Sequence, residues 1–411
     1  MNYYEGLKHY IFTIIFDKKL MFAEEMTTKP KHILFLPRWY PHRFDAMFGL
    51  FVKKHAEAVS LYNKVTIIYV QGVSSLLGFP KKEVISVPNL ITYIYYYQNS
   101  KCRIWNSLRF WYYQIFGFLT LYKEKGLPDI IHVHILTRLG VFAYVLNFIF
   151  RTPYFITEHW SRYLVIPGTY KGWLRKKLGQ IVVKNAKAIL PISLNLAHAM
   201  QEHKLFNTNY QLVPNVVDDL FFQSKQTKNV NSKTVFLHVS TFDDYSKNIS
   251  GILRSIKQLS EKTIDFEFWF VGDGMDFEKM KKYADSLSIP EPLICFFGLK
   301  QKEELVELYS QSDFMLIFSN FENIPVVINE ALACGLPIIA TKVGGITEYI
   351  NESNGILINP GNEKQLVDTL YKVIYNPPKF DNETIRQTAL QFSYQAVGKL
   401  INRIYNDSII N

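Results

Sequence analysis

Short apolar runs, each bounded by polar or turn-forming residues, recur along the chain. Those at 32–36, 65–70, 91–95, 129–134, 155–157 and 188–193 have the length of buried strands. So do those at 235–239, 266–271, 295–298, 314–318 and 337–341. Stretches with helical spacing separate them, and beyond Pro360 the sequence reads as helices. Strands alternating with helices predict parallel α/β sheets, here in two successive units.

The most informative stretch is 313–348, DFMLIFSNFENIPVVINEALACGLPIIATKVGGITE. Its first apolar run stops at Ser319 and Asn320, and a loop carrying Glu322 follows. Pro325 stands where a first helical residue would be, since its missing N–H would have no intrahelical partner there. A short helix over 325–334 is predicted, closed by Gly335, with Pro337 opening the next strand. Parallel sheets bind ligands outside the carboxyl ends of their strands. The free N–H groups at 323–326, aided by the helix dipole, would face an anion there.

Two carboxylates flank that anion site. Glu322 lies in the loop, and Glu330 about 7.5 Å up the helix from Pro325 at the α-helical rise. Carboxylates accept hydrogen bonds from hydroxyls, so a ligand with a phosphate between hydroxyl groups suits the layout. A sugar nucleotide is such a ligand. The spacing by itself fits two solvated glutamates better than a ligand site.

Length and charge narrow the class. A chain of 411 residues suits two domains. The net charge of +10 favours anionic partners: nucleotide, nucleic acid or an acidic membrane face. Nothing resembling a basic low-complexity tail or a zinc finger points to nucleic acid. Cys102, Cys295 and Cys334 form no disulfide framework, which predicts a reducing, cytoplasmic setting. Residues 1–30 read as an N-terminal extension whose apolar stretch is too short to span a bilayer or to serve as a secretory signal.

The 313–348 segment resembles the C-terminal signature of glycosyltransferase family 4, retaining enzymes of GT-B fold. The matching elements are Glu322 and Glu330 with seven residues between them, the run 331–337 (ALACGLP), and the glycines 344 and 345. The resemblance extends from about Lys31 to near the C-terminus. It implies two doubly wound, Rossmann-like domains facing across a cleft: an acceptor-side domain at 31–212, a linker at 213–232, and a donor-nucleotide domain at 233–389. Residues 390–411 would form a helix crossing back to the first domain.

The resemblance also assigns roles. Glu330 would hold the ribose, and Glu322 the transferred sugar, beside the backbone of Asn323, Ile324 and Val326. Gly49, in the loop after the first strand, would allow the donor phosphate or acceptor close to the backbone. His159, at the end of a strand, would contact the donor sugar. Leu299 would pack on the nucleobase. Lys247 would pair with the donor diphosphate, but Thr241 stands where an arginine partner is expected, so the clamp lacks one charge. The implied reaction is sugar transfer from a nucleoside diphosphate sugar to a glycan or lipid-linked acceptor hydroxyl, with anomeric configuration retained, in cell-surface polysaccharide or glycolipid synthesis. No cofactor and no metal are implied, and no Asp-x-Asp pair suggests one. The rivals are another GT-B enzyme (a phosphorylase or a nucleotide-sugar epimerase) and a non-catalytic two-domain sugar binder.

Two further stretches carry expectations. His132 and His134 form an H-x-H pair whose side chains are expected on opposite faces of a strand, one in the core and His134 nearer the cleft. Residues 93–123 interleave aromatics with Lys101, Arg103, Arg109 and Lys123, mostly at helical spacing. Either a helix core or a helix lying on an anionic membrane surface would produce that pattern, the second implying peripheral attachment to the inner face of the membrane.

Overall fold

The computed structural model describes residues 29–76, 78–166, 168–224 and 233–410. Most of the N-terminal extension and residues 225–232 of the polar linker lie outside them. Among the described residues the strands form two sheets, of seven and six strands.

The first domain runs β1 (His32–Pro37), α1 (Leu50–Ser60), β2 (Lys64–Val73), β3 (Lys82–Val87), β4 (Leu90–Gln98), α2 (Arg103–Lys125), β5 (Ile130–His134), α3 (Arg138–Phe150), β6 (Tyr154–Glu158), α4 (Trp173–Asn185), β7 (Ala188–Pro191) and α5 (Leu194–Glu202). Its strand order is β3-β4-β2-β1-β5-β6-β7, parallel except for the β3–β4 pair. The chain therefore winds outward in both directions from the seam between β1 and β5.

The second domain runs β8 (Thr234–Val239), α6 (Ile249–Ser260), β9 (Phe266–Val271), α7 (Phe277–Ser286), β10 (Ile294–Gly298), α8 (Lys302–Gln311), β11 (Phe314–Ile317), α9 (Val326–Ala333), β12 (Ile338–Thr341), β13 (Gly355–Ile358) and α10 (Glu363–Tyr375). The helices α11 (Asn382–Ala389) and α12 (Tyr394–Ile410) follow. Strand order β10-β9-β8-β11-β12-β13 puts the second seam between β8 and β11. Both sheets have helices on both faces, which is why their inner strands are largely apolar.

Two chain crossings join the domains side by side. Val216 packs in the first-domain core and Val217 in the second, and the Val217 N–H donates to the Phe392 carbonyl at 2.9 Å. Beyond Phe392 the chain returns, and α12 lies on α1, with Val397, Ile401, Ile404 and Tyr405 in the first-domain core.

Several expectations change. β3 is a mostly exposed edge strand without the alternation that would have marked it, and β13 is only four residues long. The aromatic stretch is not one helix: Leu90–Gln98 is a strand, and the helix begins at Arg103. Its tyrosines divide by period two, Tyr93, Tyr95 and Tyr97 facing one layer and Tyr96 the other. Pro325 (φ −66°, ψ 130°) is the N-cap of α9, one position before the helix, and α9 ends at Ala333.

The H-x-H expectation is wrong. Positions two apart on a strand share a face, and the His132 and His134 rings lie 4.3 Å apart between centroids. Both are fully buried. His132 is bonded to Tyr405 Oη (2.5 Å) from Nδ1 and to Thr157 Oγ1 (2.7 Å) from Nε2, so it ties β5 to β6 and α12.

Candidate functional site

The seam between β8 and β11 delivers the two loops that carry Lys247 and Glu322. The loop after β8 leads through a one-turn helix, Asp244–Lys247, and the loop after β11 carries Glu322. Lys247 Nζ meets Glu322 Oε1 at 2.5 Å, and Ser319 Oγ donates to the same oxygen at 2.8 Å. The side chains of the pair are 16% and 9% exposed. This partial burial makes the pairing stronger than a surface ion pair while leaving the ammonium reachable.

Behind Glu322 the backbone is held by a close approach that only glycine permits. Gly344 has φ 53°, and a Cβ there would sit 1.8 Å from the Glu322 carbonyl oxygen. Gly345 then donates its N–H to the Asn323 carbonyl at 2.8 Å. The N–H groups of Asn323, Ile324 and Val326 find no acceptor among the described residues. They stand at the amino end of α9, where the helix dipole favours an anion.

Glu330, one turn into α9, is 8% exposed. Burial raises its pKa, opposed first by the positive charge of Lys54 of α1 and next by the nearby Tyr309 hydroxyl. Lys54 comes from the other domain, so the ribose-binding candidate already faces across the cleft. Thr241 is exposed in the β8 loop and supplies no charge. Leu299 is exposed beyond β10, at the sheet edge two strands from β8.

The first domain closes directly on this loop. The Asn323 Nδ2 group donates to the His159 carbonyl at 3.2 Å, and Ser193 Oγ donates to Asn323 Oδ1 at 2.7 Å. Glu348 spans the amino end of α5, accepting from Leu194 N at 2.8 Å and Asn195 N at 2.9 Å. Sequence reading missed Ser193, Glu348 and Lys54, because a cross-domain partner leaves no mark in local spacing.

His159 lies 8% exposed at the end of β6, its Nδ1 3.2 Å from Asn215 Oδ1 and its ring 4.5 Å from that of Phe51. Its Nε2 makes no bond to the protein. Gly49 caps α1 with φ 70°, and a Cβ there would meet the Trp39 backbone at 2.4 Å. Gly49 thus lets α1 start against the β1 loop, which places Phe51 and His55 beside His159.

That packing creates a cluster that the spacing did not reveal. Nitrogen atoms of His55, His134 and His159 lie within 4.8 Å of one another, the only described group of three able to meet on one metal ion. The sequence reading placed no metal ligands anywhere: it set aside the H-x-H pair as a metal site because it put His132 and His134 on opposite faces of the strand. His55 Nε2 donates to the Pro214 carbonyl at 2.9 Å, and neither nitrogen of His134 has a protein partner. Burial first, then mutual repulsion, holds His134 and His159 neutral, and burial pushes His55 down to about 4. Three neutral imidazoles beneath the cleft can accept or donate a hydrogen bond without carrying charge.

The chain has relatives in sequence and in fold. The profile of the family Glycosyl transferases group 1 matches residues 221–391, which spans Lys247, Glu322 and Glu330. The chain is similar to N-acetyl-alpha-D-glucosaminyl L-malate synthase of Bacillus anthracis, 25% identical over 292 residues, covering 68% of this chain and 74% of that protein. It is also similar to the putative teichuronic acid biosynthesis glycosyltransferase TuaC of Bacillus subtilis, at 24% identity over 67% of this chain and 73% of that one. Among solved structures, sucrose-phosphate synthase from Thermosynechococcus elongatus aligns with a TM-score of 0.73 at 17% identity, over 92% of this chain and 99% of the other. Anabaena HepE in complex with UDP aligns with a TM-score of 0.67 at 17% identity, over 92% and 100%.

Proposed function

We propose that this chain, a group 1 glycosyltransferase of GT-B fold, moves a sugar from a nucleoside diphosphate sugar to an acceptor hydroxyl with retention of configuration. The observation that carries this reading is the meeting of Lys247, Glu322 and the unpaired N–H groups of Asn323, Ile324 and Val326 at the β8/β11 seam. Positive charge and backbone donors gathered at one point stabilise the negative charge that builds on a departing diphosphate.

The donor diphosphate lies against Lys247 and the start of α9, its ribose on Glu330 and its sugar between Glu322 and His159. Charge stabilisation by Lys247 and the helix start replaces a bound metal in this scheme, and no further cofactor takes part. The acceptor, a glycan or a lipid-linked sugar, occupies the first-domain side. UDP is the first nucleotide to test, because HepE was solved with it.

The first domain also supports attachment to an anionic membrane from the cytoplasmic side. Helices α2, α3 and α4 share one face of the first sheet. Trp105, Phe116, Phe148, Ile149, Trp173 and Leu174 stand exposed on them, among many lysines and arginines. Aromatic and basic residues on one surface suit the membrane interface. No described helix is long and apolar enough to cross a bilayer.

A donor screen tests the central reading. Incubation with UDP-sugars and other nucleoside diphosphate sugars should release nucleoside diphosphate for at least one of them, with an accepted glycan product. Tight donor binding without any product or hydrolysis across the panel would favour the non-catalytic binder.

A further inference from the structure

The transfer scheme leaves unexplained four buried imidazole nitrogens beneath the cleft. They are His55 Nδ1, both nitrogens of His134, and His159 Nε2, none of which bonds to another described residue. His55 and His134 are fully buried, and His159 is nearly so. Burying polar atoms without partners is costly, and a folded core seldom does it without a ligand or a water between them.

The three rings converge from separate elements. His55 lies in α1, His134 ends β5, and His159 follows β6. One nitrogen of each lies within 4.8 Å of the others. The ring centroids are 5.2 Å apart for His55 and His159, 5.7 Å for His55 and His134, and 5.8 Å for His134 and His159. Imidazoles on one tetrahedral ion, at a zinc–nitrogen distance of about 2.0–2.1 Å, have ring centres roughly 5 Å apart. The three rings therefore stand nearly at the spacing of such a triad.

The far nitrogens are held as they are in metal sites. A carbonyl can only accept, so His55 Nε2 carries the proton in its 2.9 Å bond to the Pro214 carbonyl, and Nδ1 keeps its lone pair. His159 Nδ1 donates to Asn215 Oδ1 at 3.2 Å, which leaves the lone pair on Nε2. Oxygen partners of this kind fix the tautomer and the orientation of a ligating histidine. His132, whose ring lies 4.3 Å from that of His134, has both nitrogens bonded and stays outside the set. Phe35 and Phe51 wall the group, their rings 4.6 Å from His134 and 4.5 Å from His159. The described group contains no carboxylate, and imidazole alone suits zinc or another late first-row ion rather than magnesium or calcium. Three neutral ligands leave the charge of the ion intact, so a hydroxide or water completes the four-coordinate set.

We propose that His55, His134 and His159 form a structural site for a divalent ion of the zinc type, which pins Pro214 and Asn215 to the first domain. This inference stands apart from the glycosyl-transfer reading. Pro214 and Asn215 directly precede Val216 and Val217, where the chain passes from one core to the other. An ion drawing the three rings together would stiffen the start of that crossing.

Metal analysis and zinc titration of the untagged full chain test this. The wild type should be isolated with one equivalent of zinc, or take it up after chelator treatment, and keep it through gel filtration. The cobalt-loaded protein should show the strong visible absorption of a tetrahedral cobalt ion. X-ray absorption of the zinc form should show imidazole nitrogens and one oxygen. His134→Gln, which breaks no hydrogen bond to another described residue, should weaken zinc binding about a hundredfold or more, and Asn215→Ala about ten- to 100-fold. His198→Gln, at an exposed position, should bind zinc as the wild type does. Zinc should raise the thermal unfolding midpoint of the wild type and leave that of His134→Gln unchanged. Zinc lost on gel filtration, a six-coordinate cobalt spectrum, or equal affinity in His134→Gln would overturn the site and leave a buried water among the three rings. If His134→Gln does not fold, X-ray absorption of the wild type decides, because sulfur or carboxylate ligation would refute the triad. None of these measurements reads sugar transfer, so failure of the ion site and failure of the transfer reading are told apart.

Discussion

Lys247 Nζ and Glu322 Oε1 are 2.5 Å apart, so the two groups expected to hold opposite ends of the donor hold each other. A diphosphate entering the site would compete with Glu322 for the ammonium and free the carboxylate for sugar hydroxyls. Lys247→Ala should therefore weaken nucleoside diphosphate binding far more than nucleoside binding, by about 1.5–3 kcal/mol for a charged hydrogen bond. Calorimetric titration of UDP beside uridine measures this. Equal losses for the two ligands would place the lysine away from the phosphates.

The two glutamates should fail differently. Glu330→Gln should mainly weaken nucleotide binding, about ten- to 150-fold, because the proposed ribose contact would be made before and during reaction. Glu322→Gln should leave UDP affinity nearly intact and lower turnover, because charge would change most at the sugar that Glu322 is proposed to face. Initial rates and UDP titrations on both variants decide the matter, and the reversed pattern would exchange the two roles.

Acid should destabilise the protein through its buried histidines. His55 and His238 are each held down to about 4 from 6.5, with burial the largest cause. A histidine with a depressed folded pKa takes up its proton more readily when unfolded. Its contribution is complete above pH 6.5 and disappears as the pH falls toward about 4. Each such residue then forfeits about 3 kcal/mol. Burial raises the pKa of Glu158, Glu330 and Glu348, whose effect has the opposite sign: stability is lost as the pH rises through their range. Denaturant midpoints between pH 7 and pH 4 should fall for the wild type and fall less for His55→Gln. An identical slope in both would remove His55 from the account.

Neutralising Arg103, Arg109 and Lys123 together should weaken binding to acidic vesicles by about 1 kcal/mol for each residue near the surface. Replacing the exposed Trp173 and Leu174 with serine should weaken it further without touching those charges. Co-sedimentation with phosphatidylserine vesicles at two salt concentrations checks both effects. Wild type and variants pelleting alike would exclude this face as the contact.

The order of strands and helices, the paired α/β architecture and the loop carrying Glu322 were legible from sequence because they follow from local rules. Buried parallel strands need continuous apolar runs, and α9 announces itself through Pro325 and Gly335, wherever the rest of the chain lies. The same rules failed where burial was partial, as at the exposed edge strand β3. They also failed where the period was misapplied: His132 and His134 share a face because strand side chains repeat every second residue.

Only the tertiary structure decided what meets across the chain. Asn323 reaches His159 and Ser193, Glu348 caps α5, and Lys54 faces Glu330, over separations for which no spacing rule exists. His55, His134 and His159 become one cluster because a helix and two strand ends converge. Local sequence sets backbone conformation through short-range sterics and hydrogen bonding. Which charges and rings face one another depends on how the sheets wind and how the two domains close.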